Sequence, residues 1–436
     1  MGQGVKRAVV VCLAATTLGG CLSDAGGEGF VGMRSTLDNT AVGKPAHAEK
    51  INRDSQIIQG LMARRSVLPS GSSYDKVATA VLAGYARPAE AELKAARLRS
   101  EAASKNWLPK IGPNISLSSL GSLVANLVVD QVLFDHGRLK GEREFAVADV
   151  EVAAVNLATD TNARVAAGLG LYVDAVEARE KAALSQTALQ DMGHFHWIMQ
   201  ERVKGGVSNI TDLNVLTQKL DEIKADARAN SERAFTAVAE LNAISAQPLD
   251  EVRGAPRFEV SPTAAQPLAV SLAEAEKLRS IAAAKVQRAE TLPGISASAT
   301  LGENGGASLN AGGDGLLGLG TGASLKAIEA AKEAAGRRVA QANEDANRAL
   351  RKLEAEIAAK GRQAQEAARL TLNAKENLDL FQEQFDAGQR QVLDVVNVYE
   401  VFSRQQEAEV TLKYETIRLR LQMAELLGVL ADGDRI

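Results

Sequence analysis

The sequence predicts a mainly α-helical fold with a small β part, in which long paired helices carry four short strands. Apolar residues make up 46% of the chain and aromatic residues only 4%, and the abundance of alanine is typical of long, closely packed helices. Proline is missing from residues 139–204 and 324–387. The same order of segments occurs twice, so the chain is built from two related halves.

The N-terminus has the pattern of an export signal. A basic pair precedes an apolar run over residues 8–15, which is too short to span a bilayer as a helix. The run ends in Leu18-Gly19-Gly20-Cys21, which resembles a bacterial lipobox. We therefore expect residues 1–20 to be removed as a signal peptide and Cys21 to carry lipid, with an ordinary secretory peptide as the alternative. Among such lipoproteins, Leu22 in place of Asp implies sorting to the outer membrane.

Cysteine usage and charge exclude several classes of site. Cys12 lies in the signal and Cys21 would be acylated, so the mature chain has neither a disulfide nor a cysteine metal site. The net charge of −4 gives no indication of a nucleic-acid partner. Residues 21–88 are rich in Gly, Ser, Asn, Asp and Lys over much of their length, and we interpret them as a lipid-anchored tether or irregular segment.

An internal repeat organises the rest of the chain. Leu108-Pro109 recurs as Leu292-Pro293, and Gly206 recurs as Gly388, at a spacing of 182 to 184 residues. A constant spacing over separate markers is the mark of a duplicated unit. The predicted order is a first copy at 89–247, a linker at 248–271, a second copy at 272–430 and a C-terminal tail at 431–436.

Each copy contains the same elements in the same order. A short helix ends at the Leu-Pro pair, because the residue before proline disfavours the α conformation. Two short strands follow, predicted at 111–120 and 123–134 in the first copy and at 295–301 and 307–319 in the second. A helix of some 65 residues comes next, which corresponds to a rod of roughly 100 Å. The chain then reverses at a glycine and returns as a helix with apolar residues at alternating steps of three and four, the seam of a coiled coil.

The strand number has a consequence for assembly. Four strands in one chain are too few to close a membrane barrel, for which at least about eight are needed. Open strand edges in lipid would leave backbone groups unpaired. Several chains must then share one barrel, and three chains would give twelve strands.

The repeated motifs resemble the TolC-type outer-membrane efflux family. The resemblance rests on the paired repeat, the Leu-Pro pairs, the strand exit at 132–138 and the turns around Gly206 and Gly388. It implies a lipid-anchored homotrimer in the outer membrane, with a shared β-barrel, a long periplasmic helical tube and the two turns at its tip. It also implies a channel that conducts passively, without catalysis or cofactor. The implied partners are outer-membrane lipid, a periplasmic adaptor (membrane fusion) protein and an inner-membrane RND or ABC transporter.

The resemblance also implies roles for residues at the tip. An inward Asp394 from each chain would form a ring that favours cations, and Arg390 would pair with Asp212 to hold the tip shut. Asp212 and Asp394, each near the start of a returning helix, could equally act as helix-capping carboxylates. Asn397 stands where a second constriction acid is expected, and Phe385 where a gate tyrosine is expected. The expected adaptor-docking residues are Gly206, Val207, Ser208, Asn209, Ile210, Thr211, Gly388, Gln389, Val392 and Leu393.

Two other functions remain open from the sequence. One is an outer-membrane outlet for type I protein secretion, which has the same fold and a polypeptide substrate. The other is a periplasmic coiled-coil lipoprotein with a structural role and no pore. We expect no metal site at His194 and His196, because residues two apart on a helix point to different faces. No arrangement of nucleophile, base and orienting group indicates an enzyme.

Overall fold

The computed structural model describes residues 46–117, 123–302, 305–312 and 320–435. The predicted signal peptide, Cys21 and the outer ends of two predicted strands lie outside these residues. The described helices and strands are α1 (Ala46–Asp54), α2 (Gln56–Met62), α3 (Ser73–Ala83), α4 (Pro88–Ser104), β1 (Lys110–Leu117), β2 (Leu123–Phe134), α5 (Arg138–Lys204), α6 (Ile210–Ala243), α7 (Leu268–Glu290), β3 (Gly294–Leu301), β4 (Gly306–Gly312), α8 (Thr321–Asp386) and α9 (Val392–Leu427).

Two helices of exceptional length dominate the chain. The α5 helix has 67 residues and α8 has 66, so each is a rod of about 100 Å. Each returns as a shorter helix, which gives a first hairpin of α5 with α6 and a second hairpin of α8 with α9. Among the described helices, none combines the length and the apolar character needed to cross a membrane.

The strands form one antiparallel sheet in the order β1-β2-β3-β4. The central pairing joins the two copies, with Asp130 of β2 opposite Ser298 of β3. Within this sheet β1 and β4 each pair on one side only. Their outer edges therefore carry unpaired backbone donors and acceptors.

The helices continue the same side-by-side order. Close to the sheet the packing order is α4, α5, α7, α8, and close to the two turns it is α6, α5, α9, α8. One lateral edge of the chain is therefore made of β4 and α8, and the other of β1, α4 and α6. The two edges differ in composition, which is the arrangement required for head-to-tail association of identical chains.

A second layer covers the middle of α5 and the C-terminal half of α9. We call it the equatorial layer; it consists of α1 to α3, the linker at 248–267 and residues 428–435. Tyr74 of α3 is fully buried and meets Tyr172 of α5 edge-on at 6.0 Å and Phe258 of the linker at 5.6 Å. This cluster is part of the largest apolar core of the described chain.

The prediction of an irregular tether is wrong for residues 46–83, which form α1 to α3. Ser55 and Ser72 cap α2 and α3 by accepting backbone N–H groups of Ile58 and Asp75, as serine commonly does at helix starts. These helices are short, and isolated helices of this length are marginal in water. Burial of their apolar side chains against α5 accounts for their formation.

Candidate pore-forming sheet and helical tip

The two faces of the sheet differ sharply in chemistry. Directly paired residues on neighbouring strands point to the same face, so the pairing register assigns each side chain to a face. One face carries Ile111, Pro113, Ile115, Ala125, Leu127, Val129, Ala297, Ala299, Leu301, Ala307, Leu309 and Ala311, with Gln131 as its polar member. The other carries Lys110, Asn114, Asn126, Asp130, Ser296, Ser298, Thr300, Ser308 and Asn310, with Val128 and Val132 as apolar members.

The apolar face is uncovered within the chain. Ile111, Ile115 and Leu309 are 66%, 63% and 74% exposed, far above what a core residue shows. On the polar face, the Ser298 and Ser308 hydroxyls lie 2.8 Å apart, and the Asn310 amide donates to Ser298 Oγ at 3.3 Å. Apolar residues on one face alternating with polar residues on the other are typical of strands between lipid and an aqueous lumen.

Two exposed aromatic residues lie at the end of the sheet next to the long helices. Trp107 precedes β1 and Phe134 ends β2, and both are more than half exposed. The Gln131 amide donates to the Trp107 carbonyl at 3.1 Å, which fixes the chain entering β1 against β2. This position, next to the long helices, is compatible with an interfacial belt.

Both helix-reversing turns are built in the same way. Gly206 and Gly388 adopt φ values of 72° and 73°, which glycine tolerates without a steric penalty. Val207 N–H donates to the Arg202 carbonyl at 2.9 Å, and Gln389 N–H to Gln384 O at 2.8 Å. These bonds form Schellman-type C-caps at the ends of α5 and α8. The chain therefore reverses at the two glycines where the sequence predicts it.

The returning helices begin with different caps. Asn209 caps α6 by accepting the Thr211 N–H at 3.1 Å. In α9, Gln391 and Asp394 form a capping box in which Asp394 accepts the Gln391 N–H at 3.2 Å. The capping role considered for Asp212 therefore belongs to Asn209 in the first hairpin, while Asp394 does fill such a role in the second. Asp212 lies in the first turn of α6, where the helix dipole favours a carboxylate.

Arg390 has different partners from the one predicted. Its Nε donates to Gln384 Oε1 at 2.8 Å, and its guanidinium lies 4.4 Å from the centre of the Phe381 ring. An ion pair between Arg390 and Asp212 is not formed within the described chain. Within one chain Arg390 instead folds back onto its own hairpin, and its pairing with Asp212 stays a prediction for the assembled ring.

A link that the sequence did not reveal joins the two hairpins near the tip. Lys219 of α6 donates to Asn397 Oδ1 at 3.3 Å and forms an ion pair with Glu400. Tyr399 donates to Asp191 of α5 at 2.7 Å. Burial, and secondarily the Asp191 carboxylate, raise the pKa of the Tyr399 hydroxyl, which therefore stays protonated as the donor. Asn397 is thus an acceptor in a cross-link between helices.

An apolar cluster fills the space between all four helices at the tip. Phe385 meets Phe195 edge-on at 6.1 Å, so the residue at the expected gate-tyrosine position is a packing residue. Val392 is only 1% exposed and belongs to this cluster, so its prediction as a docking residue is wrong. Val207 and Ile210 are 76% and 55% exposed and remain available on the first turn.

Comparisons with known proteins find similar structures but no similar sequences. No family model and no curated protein sequence matches the chain. A membrane protein from Pseudomonas aeruginosa matches in structure with a TM-score of 0.73 at 15% identity, over 84% of this chain and 92% of that one. The open state of the MtrE outer membrane channel of Neisseria gonorrhoeae matches with a TM-score of 0.68 at 15% identity, over 86% and 96%. The outer membrane protein VceC of Vibrio cholerae gives 0.66 at 14% identity, over 87% and 96%.

The chain has the TolC-type outer-membrane channel fold. These matches each cover more than nine-tenths of the other chain and more than four-fifths of this one. Within the TolC-type fold, the two glycine turns lie at the end of the hairpins farthest from the sheet. The Lys219 and Tyr399 cross-links lie within about 15 Å of those turns, at the helical rise of about 1.5 Å per residue.

Proposed function

We propose that this chain is the outer-membrane channel component of an efflux or export system and works as a homotrimer. The observation that carries the proposal is the four-stranded sheet with one exposed apolar face, one polar face and two unpaired edges. Three sheets joined edge to edge would pair every strand and place the apolar face toward lipid and the polar face toward a lumen. This removes the unpaired backbone groups that lipid does not tolerate.

The helices extend the same arrangement into the periplasm. The α8 edge of one chain would pack against the α4 and α6 edge of the next, which closes a ring by head-to-tail contact. Conduction through this tube is passive, and an inner-membrane pump drives transport. The exposed apolar residues Val207 and Ile210 at the first turn would receive the periplasmic adaptor of that pump. Both side chains are exposed in the described chain and would be buried by such a partner.

The lipid anchor is part of the same proposal. Acylation of Cys21 would anchor the N-terminus in the outer membrane. Intact-mass measurement of the purified mature protein tests this directly, since a Cys21→Ser variant would lack the added lipid mass. An unmodified N-terminus beginning at another residue would exclude the anchor and leave the channel proposal standing.

The channel proposal is tested with the full-length protein purified from outer membranes. We expect a trimer by native mass spectrometry that converts to monomer on heating, and stepwise conductance when it is added to planar lipid bilayers. A monomer in mild detergent, with no conductance, would contradict the proposal. That result would favour the structural coiled-coil lipoprotein.

A ring of Asp394 carboxylates is the proposed source of cation preference. Asp394→Asn keeps an acceptor for the cap but removes the charge, whereas Asp394→Ala removes both. We expect both variants to lower the cation-to-anion permeability ratio, measured from reversal potentials in a salt gradient. Only Asp394→Ala should lower the thermal stability, because a lost cap costs about 1 kcal/mol per helix.

The control for this prediction is Asp434→Asn, which makes the same change in charge on the exposed C-terminal segment, far from the tip. Its permeability ratio should match that of the unaltered protein. If Asp394→Asn leaves the ratio unchanged, Asp394 acts only as a capping residue and the ring assignment is excluded.

A further inference from the structure

The two hairpins of one chain pack against each other along α5 and α9, and we call this contact the internal seam. It can be compared with the contact expected between neighbouring chains of the trimer. Within the chain, α9 packs against α5. The internal repeat relates α9 to α6 and α5 to α8 at a constant spacing of 182 residues, as Gly206 and Gly388 illustrate. In a closed ring, α6 of one chain meets α8 of its neighbour. The seam within the chain is therefore a template for the seam between chains.

The contacts of the internal seam are explicit. Tyr414 of α9 donates to Glu180 of α5 at 2.6 Å, and Lys413 pairs with the same carboxylate at 2.8 Å. Ile417 is buried in the same apolar cluster as Val173, and Val176 packs against that cluster. A polar contact and an apolar contact thus occur within one helical turn of each other.

The repeat carries these positions to the open edges of the chain. Tyr414 corresponds to Glu232 on α6, and Glu180 corresponds to Arg362 on α8, so the equivalent pair has opposite charges. Glu232 and Arg362 are both exposed. For neither residue does an ion pair occur in the parts of the chain that the structure describes. Their charges are complementary but lie on opposite edges of one molecule.

The apolar positions are complementary in size. Ile417 corresponds to Phe235 on α6, which is 77% exposed. Val173 and Val176 correspond to Ala355 and Ala358 on α8, both exposed. A larger residue on one side faces smaller residues on the other, which keeps the volume of the contact close to that of the internal seam. Phe235 and Ala358 also stand at nearly the same height, about 45 Å above their turns at a rise of about 1.5 Å per residue.

We infer that a second copy of this chain covers the α6 edge through a specific contact, in which Glu232 pairs with Arg362 of the neighbour and Phe235 packs on the neighbour's Ala355 and Ala358. This inference rests on the proposed trimer and adds the residues that set its register. The exposed phenylalanine and the unpaired charges are explained together, because all three become paired or buried only when the ring closes. A shift of one helical turn would separate both contacts at once.

Cysteine crosslinking tests the register. Glu232→Cys combined with Arg362→Cys should give covalent trimers with a short bismaleimide, since each chain then links to both neighbours. The matched control combines Glu232→Cys with Arg351→Cys, which moves one reactive site about 16 Å along the same face of α8. We expect loss of the covalent trimer in the control. Equal crosslinking of both pairs, or crosslinking of the control alone, would overturn the assigned register.

A charge exchange provides an independent measurement. Glu232→Arg and Arg362→Glu, each alone, should lower the temperature at which the trimer dissociates, and the two together should restore it. Failure of the double variant to recover would contradict the pairing. Native mass spectrometry of the same samples distinguishes a wrong Glu232–Arg362 pairing from a wrong proposal of the trimeric channel. A trimer without the crosslink would exclude only the seam, whereas a monomer in every sample would exclude the trimer itself.

Discussion

Replacing Leu309 with arginine should prevent the protein from inserting into the outer membrane. Leu309 is 74% exposed and lies in the middle of β4 on the apolar face of the sheet. An arginine facing lipid near the bilayer midplane costs about 2–4 kcal/mol per copy. Three copies would each carry this cost, which is enough to shift the equilibrium away from the inserted trimer by several orders of magnitude.

The neighbouring residue supplies the control. Ser308 occupies the polar face, where its hydroxyl lies 2.8 Å from that of Ser298, so Ser308→Arg would place the charge in the aqueous lumen. We expect Ser308→Arg to insert and conduct, with altered ion selectivity, while Leu309→Arg is degraded or remains in the periplasmic fraction. Membrane fractionation followed by bilayer recording measures both. Equal insertion of the two variants would contradict the assignment of the faces.

The parts of the fold predicted from sequence are those with a local signal. A helix of about 65 residues follows from the absence of proline and the abundance of alanine, and the returning helices follow from their apolar periodicity. The turns follow from Gly206 and Gly388, because a left-handed backbone favours glycine strongly. The strands are predicted because they follow the Leu-Pro pair that ends a helix in each copy. The composition of β4 alone, which is rich in glycine and alanine, favours a strand only weakly. Each of these features depends on residues within one segment, so a single sequence contains enough information to predict them.

The parts that were missed depend on partners distant in the sequence. Tyr399 meets Asp191 across 208 residues, and Lys219 meets Glu400 across 181. Composition and periodicity contain no information about such pairs. Arg390 illustrates the same limit, because its contacts with Gln384 and Phe381 of its own hairpin have no signature in composition or periodicity.

The helices of the equatorial layer were missed for a related reason. Residues 46–83 are polar enough to look like a tether, and their helices are individually too short to be stable. They form because Tyr74, Val77 and Val81 are completely buried against the rest of the molecule. Tertiary packing therefore overrides local composition in residues 46–83. It does so too in the C-terminal residues 428–435, which belong to the same layer.

Arg64 is a buried cation that ties the equatorial layer to the end of α9. It is 8% exposed, and its guanidinium donates to the carbonyls of Leu427 and Gln266 at 2.5 and 2.8 Å. Leu427 ends α9, where the helix dipole favours a cation. Burial lowers the pKa of the Arg64 guanidinium to about 10, so the side chain remains charged at neutral pH.

Arg64→Met should lower the free energy of unfolding of this layer by about 3 kcal/mol, because two buried carbonyls lose a charged donor. The C-terminal segment should also loosen, because the Arg64 guanidinium holds the carbonyl of Leu427, the residue just before that segment. A melting curve and limited proteolysis of the C-terminus measure the two effects.

The control is Arg65→Met, which removes only an exposed ion pair with Asp434 at 3.9 Å, worth at most about 1 kcal/mol. Equal melting temperatures for the two variants would show that the buried guanidinium does not hold the layer, and that the packing around Tyr74 is sufficient.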